Sequence, residues 1–185
     1  MALRTQPAFA VWITGLPASG KSALAAAVKA QLASRRVDLA VLESDELRKV
    51  FTPEPRYDEK ERDIFYRQMV YVGALLTGHG VPVLFDATAN RRAYRDLARQ
   101  EIARFLEVYV DTPLEICVAR DPKAIYHQAQ GGTASTVPGM QADYEAPRSP
   151  DLVVHGDREN VEAAAARLIK KLAERGYLEA GVSGG

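Results

Sequence analysis

The chain has almost no sulfur chemistry to offer. Cys117 is its one cysteine, so no disulfide can close within it and no thiolate metal cluster can form. Its three histidines, His79, His127 and His155, are far apart and lack metal-ligand spacing. An excess of either charge is missing too. Lys and Arg number 24 against 24 Asp and Glu, and the pI is near 6.8, which leaves no electrostatic footprint for nonspecific binding to nucleic acid or membrane. No apolar run approaches the ~18 residues of a membrane span, and the first residues lack the pattern of a secretory leader. These absences point to small-molecule partners and a cytoplasmic location. The 185 residues, 47% of them apolar, suffice for one well-packed domain and are few for two.

Against that plain background, residues 15–22 stand out. Gly15-Leu16-Pro17-Ala18-Ser19-Gly20-Lys21-Ser22 fits the phosphate-binding pattern G-x-x-x-x-G-K-[ST]. Residues 8–14 before it read as a buried strand, and Leu24, Ala27, Val28 and Leu32 after it recur at helical spacing. The glycines let the loop, with Ala18, Ser19 and the helix start at Ala23, turn backbone N–H groups toward phosphate oxygens. Lys21 supplies a cation for the β and γ phosphates, and Ser22 a hydroxyl for Mg²⁺. The motif predicts a bound nucleoside triphosphate and leaves open whether hydrolysis or transfer follows.

Strands and helices then alternate. Strands are expected at 37–43, 81–85, 106–110 and 151–154, and helices at 58–77, 91–104, 112–119 and from Val161 until Gly176 stops the last. That order predicts a three-layer α/β/α fold around a mainly parallel five-stranded sheet, with ligands at the carboxyl ends of the strands. One domain is expected over 1–176, followed by a frayed tail at 177–185. Residues 121–150 carry four prolines and three glycines without periodicity, and read as a mobile lid. Cys117 falls in a helical pattern that favours a packing role.

The chain resembles the adenylylsulfate kinase family, within the P-loop NTPase-like folds. The match is strongest at Val110-Asp111-Thr112-Pro113-Leu114-Glu115-Ile116-Cys117, Arg120-Asp121-Pro122-Lys123, Tyr126, Asp143-Tyr144-Glu145-Ala146-Pro147 and Pro150-Asp151-Leu152. Weaker similarity runs from about residue 8 to 157. The resemblance implies an ATP- and Mg²⁺-dependent kinase, a homodimer, acting on the 3′-hydroxyl of adenylyl sulfate. Residues 42–48 stand where the family has Leu-Asp-Gly-Asp-Asn-Val-Arg. Asp45 is thereby matched to a carboxylate able to orient and deprotonate the acceptor hydroxyl. Arg48, Arg62 and Arg67 match arginines around the acceptor, whose forks suit phosphate and sulfate oxygens. Arg120 is matched to a cover for the ATP adenine, and Lys123 to a lid cation reaching the phosphates.

The departures gather at the acceptor side. Tyr57 and Val137 stand where the family clasps the acceptor adenine between two phenylalanines, and Phe65 aligns with an asparagine. A Phe-Ile-Ser-Pro-Tyr-Arg string is replaced by Ala87-Thr88-Ala89-Asn90-Arg91-Arg92. Asp86-Ala87-Thr88 instead looks like a broader set of loop-containing kinases, including polynucleotide 5′-hydroxyl and small-metabolite kinases. There Asp86 would hold a Mg²⁺-bound water or touch the acceptor. Its bland alternative is a helix N-cap, for which Asn90 is the better candidate. The sequence therefore keeps three readings open: an adenylylsulfate kinase, a related kinase with another hydroxyl acceptor, and a nucleotide-sensing switch without catalysis.

Overall fold

A computed structural model describes residues 7–122, 124–130 and 137–178. The elements in chain order are β1 (Ala10–Thr14), α1 (Lys21–Ala33), β2 (Ala40–Glu43), α2 (Ser44–Phe51), α3 (Glu59–Gly78), β3 (Val83–Asp86), α4 (Arg92–Glu101), β4 (Phe105–Asp111), α5 (Leu114–Arg120), α6 (Ile125–Gln130), β5 (Leu152–His155) and α7 (Val161–Glu174). The five strands form one parallel sheet in the order β2-β3-β1-β4-β5, as the alternation predicts. Among the described residues no helix is long and apolar enough to cross a membrane.

Alternation along the strands sends side chains to opposite faces, and this divides the core in two. Val11 and Ile13 of β1, with Leu106, Val108 and Val110 of β4, pack under α1 and α7 against Leu24, Val28, Leu168 and Leu172. Ala10 and Trp12 face the other way, toward Phe65, Met69 and Val70 of α3 and Tyr94 and Ala98 of α4. Trp12 stacks on Phe85 at 4.5 Å between centroids, and its indole N–H donates to the Ala87 carbonyl at 3.1 Å. A smaller cluster of Cys117, Tyr126, Ala129 and Val137 joins α5 and α6. Cys117 is wholly buried there, as expected, and burial pushes its thiol pKa up.

Strand order reverses at β1, which has β3 on one side and β4 on the other. Such a switch point opens a crevice at the carboxyl ends of the strands. The phosphate-loop motif leaves β1 there.

Three local expectations are corrected. Two helices were not foreseen: α2, which follows β2 without a loop, and α6, inside the expected lid. The segment expected as a lid is only partly loop, since it holds α6, and at Glu145 it is tied to the turn after β3. Glu145 N–H donates to the Asn90 carbonyl at 2.7 Å, and Arg95 Nη2 donates to the Glu145 carbonyl at 2.5 Å. Residues 131–136 of it lie outside the described residues, as do 179–185 of the expected tail. Asn90 does not cap α4 either. Arg91 holds the N-cap position without a side-chain capping bond, the Arg92 N–H donates to Glu145 Oε2 at 2.9 Å, and Asn90 Nδ2 donates to the Asp143 carbonyl at 3.0 Å.

Candidate active site

The loop between β1 and α1 is shaped by its backbone. Gly15, Ala18 and Gly20 take φ of 153°, 59° and 109°, values that L side chains resist. A Cβ on Gly15 would stand 2.6 Å from the Val110 carbonyl oxygen and 2.8 Å from Ser19 Oγ. At Gly20, the N-cap of α1, a Cβ would meet nothing within 4 Å and would project into open space. Gly20 lines a cavity of about 480 Å³, with Ala18, Lys21, Ser22 and Ala23 on the same wall. The start of α1 adds N–H groups that no carbonyl of the same helix can take, and the positive end of its dipole. Lys21, 8% exposed, donates from Nζ to the Leu16 carbonyl at 2.7 Å, across the loop. Ser19 is fully buried, and its Oγ lacks a hydrogen-bond partner among the described residues. An open cradle, a cation and an unsatisfied hydroxyl fit a polyphosphate.

The opposite wall comes from the ends of β2 and β3. Asp86, 5% exposed, closes β3 in register with Ile13 of β1 and Glu43 of β2. Asp45 lies in the first turn of α2. Both line the cavity with Ser22. The set of one hydroxyl and one carboxylate suits Mg²⁺, which keeps most of its shell for water and substrate phosphate. Arg120, at the end of α5, reaches the mouth of the cavity and donates from Nη2 to the Gly156 carbonyl at 2.9 Å. Lys123 lies outside the described residues.

A second cavity of about 470 Å³ adjoins the first and shares Pro17, Ser44, Asp45, Thr88 and Ile125 with it. Asp45 thus stands where the two chambers meet. The second chamber carries Arg48, Arg56 and Arg62 together with Tyr57, Tyr66 and Val137. Arg48 and Arg62 are 9% and 8% exposed, and burial holds the Arg62 guanidinium below its ordinary pKa. Arg67 is not brought to this chamber. It follows Arg62 by five residues, which turns it about 140° around the helix axis, and it lies exposed beside a separate depression with Asp63 and Leu97. Val137 does line the chamber, but it is 5% exposed and packs into the α5–α6 cluster.

Several residues of the site were not singled out by the sequence. Thr14, the last residue before the loop, donates from Oγ1 to the Thr88 carbonyl at 2.6 Å and lies 3.1 Å from the Tyr144 hydroxyl. Thr112 Oγ1 donates to the Ser19 carbonyl at 2.8 Å and braces the loop from behind. Tyr66 OH accepts from the Ala89 N–H at 3.0 Å, fixing the turn after β3. Burial pushes the Tyr66 and Tyr144 phenols up. Tyr144 and Thr112 belong to strings quoted for the family resemblance, which was the one signal available. Thr14 had none.

A parallel sheet whose first strand runs into a phosphate cradle, with a carboxylate between that cradle and an arginine-lined chamber, defines a P-loop phosphotransferase. A model of the adenylylsulphate kinase family matches residues 7–155. The adenylyl-sulfate kinase of Halothermothrix orenii is 35% identical over 176 residues, covering 95% of each chain. That of Myxococcus xanthus is 37% identical over 176 residues, covering 93% of this chain and 95% of the relative. Among solved structures, the Mycobacterium tuberculosis APS kinase CysC in complex with AMPPNP and APS superposes with a TM-score of 0.85 at 32% identity, over 90% of this chain and 98% of that one. The chain belongs to the adenylylsulphate kinase family.

Proposed function

We propose that this protein transfers the γ-phosphoryl group of ATP to the 3′-hydroxyl of adenylyl sulfate, giving ADP and 3′-phosphoadenylyl sulfate, the kinase step of sulfate assimilation. The position of Asp45 carries this reading: one carboxylate between a phosphate cradle and a chamber walled by buried arginines. Lys21 holds the β and γ oxygens once it leaves the Leu16 carbonyl. Ser22 and Asp86 would hold Mg²⁺, which neutralises charge on the phosphates. Asp45 orients the acceptor hydroxyl and takes its proton as the 3′-oxygen bonds to the γ phosphorus. The bond from that phosphorus to the β–γ bridging oxygen breaks, its electrons leave on ADP, and the proton passes from Asp45 to solvent.

Around this centre Gly15, Ala18, Ser19, Gly20 and Ala23 shape the cradle, and Arg120 covers the ATP adenine, with Lys123 assigned to the phosphates. Arg48 and Arg62 take the phosphosulfate anion, and Tyr57 the acceptor adenine. Arg67 drops out of the assignment. A homodimer and a cytoplasmic location belong to the same reading.

A second reading, a kinase with another hydroxyl acceptor, draws on one observation: Val137 offers the acceptor chamber an aliphatic wall and no ring face. ADP release measured across adenylyl sulfate, nucleosides, sugars and 5′-hydroxyl oligonucleotides tests both. The proposal expects adenylyl sulfate to stimulate release far above the rest. Stimulation by a different acceptor favours the second reading, and slow release that nothing stimulates restores the switch.

A further inference from the structure

Glu61 plays no part in the chemistry described above, yet it organises one wall of the acceptor chamber. It sits at the third position of α3, three residues after the N-cap Asp58, whose Oδ1 accepts from the Glu61 N–H at 2.8 Å. In an ordinary capping box the glutamate at this position folds back onto the N–H of the N-cap residue. Here the carboxylate reaches past Asp58 toward the chamber. Oε2 accepts from the Arg56 N–H at 2.5 Å, and Oε1 accepts from the Tyr57 N–H at 3.3 Å and from Arg48 Nη1 at 3.2 Å.

Those three donors belong to residues that line the acceptor chamber. Tyr57 is held at φ 56°, in the left-handed region, a conformation that needs outside support. So supported, its ring stands 5.1 Å from Arg48 Cζ, while the ring of Phe65, on α3, lies 3.9 Å from the same atom. The Arg48 guanidinium is therefore fixed by two ring faces and one carboxylate. Five N–H donors on a guanidinium leave some for an anion after the Glu61 bond is made.

We propose that Glu61 is a positioning residue for the acceptor: through one carboxylate it sets both the Arg48 fork and the 56–57 backbone that carries Tyr57. Phe65, at the position where this chain departs from its family, is the platform on the other side of Arg48. The inference rests on the acceptor chamber receiving adenylyl sulfate, whose anionic group calls for a preset fork.

The test compares Glu61→Ala and Glu61→Gln with the parent and with Glu46→Gln, which alters an exposed pair with Lys49 on α2. Both Glu61 variants should raise the KM for adenylyl sulfate about 10- to 100-fold, the scale of a lost charge-assisted contact. The KM for ATP and kcat should stay within about threefold. Hydrogen exchange at the Arg56 and Tyr57 amides should quicken in both, and Glu46→Gln should change neither. An unchanged acceptor KM, or an ATP KM that rises equally, overturns the proposal and leaves Glu61 a brace for the chain entering α3. If the parent transfers nothing to adenylyl sulfate, the acceptor assignment fails separately. The exchange rates and the KM of whichever hydroxyl does stimulate ADP release then decide the role of Glu61.

Discussion

Arg95 of α4 and Glu107 of β4 form a buried ion pair, Nε to Oε1 at 2.7 Å, with 1% and 8% of the two side chains exposed. Glu107 points to the α4 side of the sheet because its strand neighbours Leu106 and Val108 fill the other face. The guanidinium also donates to the carbonyls of Ala89 and Glu145, so it ties the turn that carries Asp86 and Thr88 to the segment that carries Tyr144. Removing Glu107 strands the Arg95 charge, whereas Glu107 also meets Arg99 Nη2 at 3.4 Å. Glu107→Ala should cost about 3–5 kcal/mol, or roughly 6–20 °C in Tm. Thermal denaturation checks this, and an apolar Arg95→Met, Glu107→Leu double variant should recover part of the loss. A Tm unchanged in Glu107→Ala would mean the pair holds nothing together.

In the proposed reaction, Lys21→Ala removes the cation that would meet the charge developing on the transferred group. Transfer should fall roughly 10²-fold or more while the far-ultraviolet circular dichroism spectrum stays native. Near-normal turnover in a folded variant would contradict the cradle assignment.

Asp45→Asn keeps the shape of the partition but cannot accept the acceptor proton, so kcat should drop steeply with ATP binding nearly intact. Asp86→Asn should instead raise the Mg²⁺ concentration needed for half-maximal rate. Activity titrated against Mg²⁺ in both variants checks the division, and the reverse pattern would exchange the two roles.

Val137→Phe shows how the structure alters an expectation. A ring there would supply the missing aromatic face over an acceptor adenine, but Val137 already packs among Cys117, Tyr126 and Ala129. Overpacking that cluster should cost about 1–3 kcal/mol. Calorimetry should show a lowered Tm with no tighter KM for adenylyl sulfate, whereas a tighter KM at unchanged Tm would place the side chain over the acceptor after all.

Five of the eight tyrosines, Tyr66, Tyr94, Tyr109, Tyr126 and Tyr144, have phenols pushed above their ordinary value of 10, chiefly by burial, with Tyr109 at about 12. Unfolding returns them to the lower value. Their stabilising contribution is therefore complete below the unfolded pKa and is lost as pH rises through the folded values. Absorbance at 295 nm (the phenolate band) and circular dichroism should show these five ionising together with unfolding above about pH 10. Ionisation of these five near pH 10 in a chain that stays folded would contradict the burial.

The nucleotide half of the site was legible because its chemistry is local: residues 15–22 are contiguous, and strand and helix flank them in the required order. Asp45 and Arg48 were legible through a family string, although α2 itself was not, since it leaves β2 without a loop and its N-cap Glu43 makes no side-chain capping bond. The acceptor half is tertiary. Arg62 and Arg67 looked equivalent in the string, and only the angular step of a helix separates them. Glu61 read as part of a helix start because its reach toward Arg48 and Tyr57 depends on where α2 lands. Thr14 meets Tyr144 across 130 positions of sequence, a distance no local pattern spans.

The most direct measurement of the central claim supplies ATP labelled in its γ-phosphoryl group together with adenylyl sulfate and Mg²⁺, and asks where the label goes. Label should appear on the 3′-oxygen of adenylyl sulfate, in step with ADP and abolished by Asp45→Asn. Label released only as inorganic phosphate, at a rate that adenylyl sulfate does not change, would contradict it.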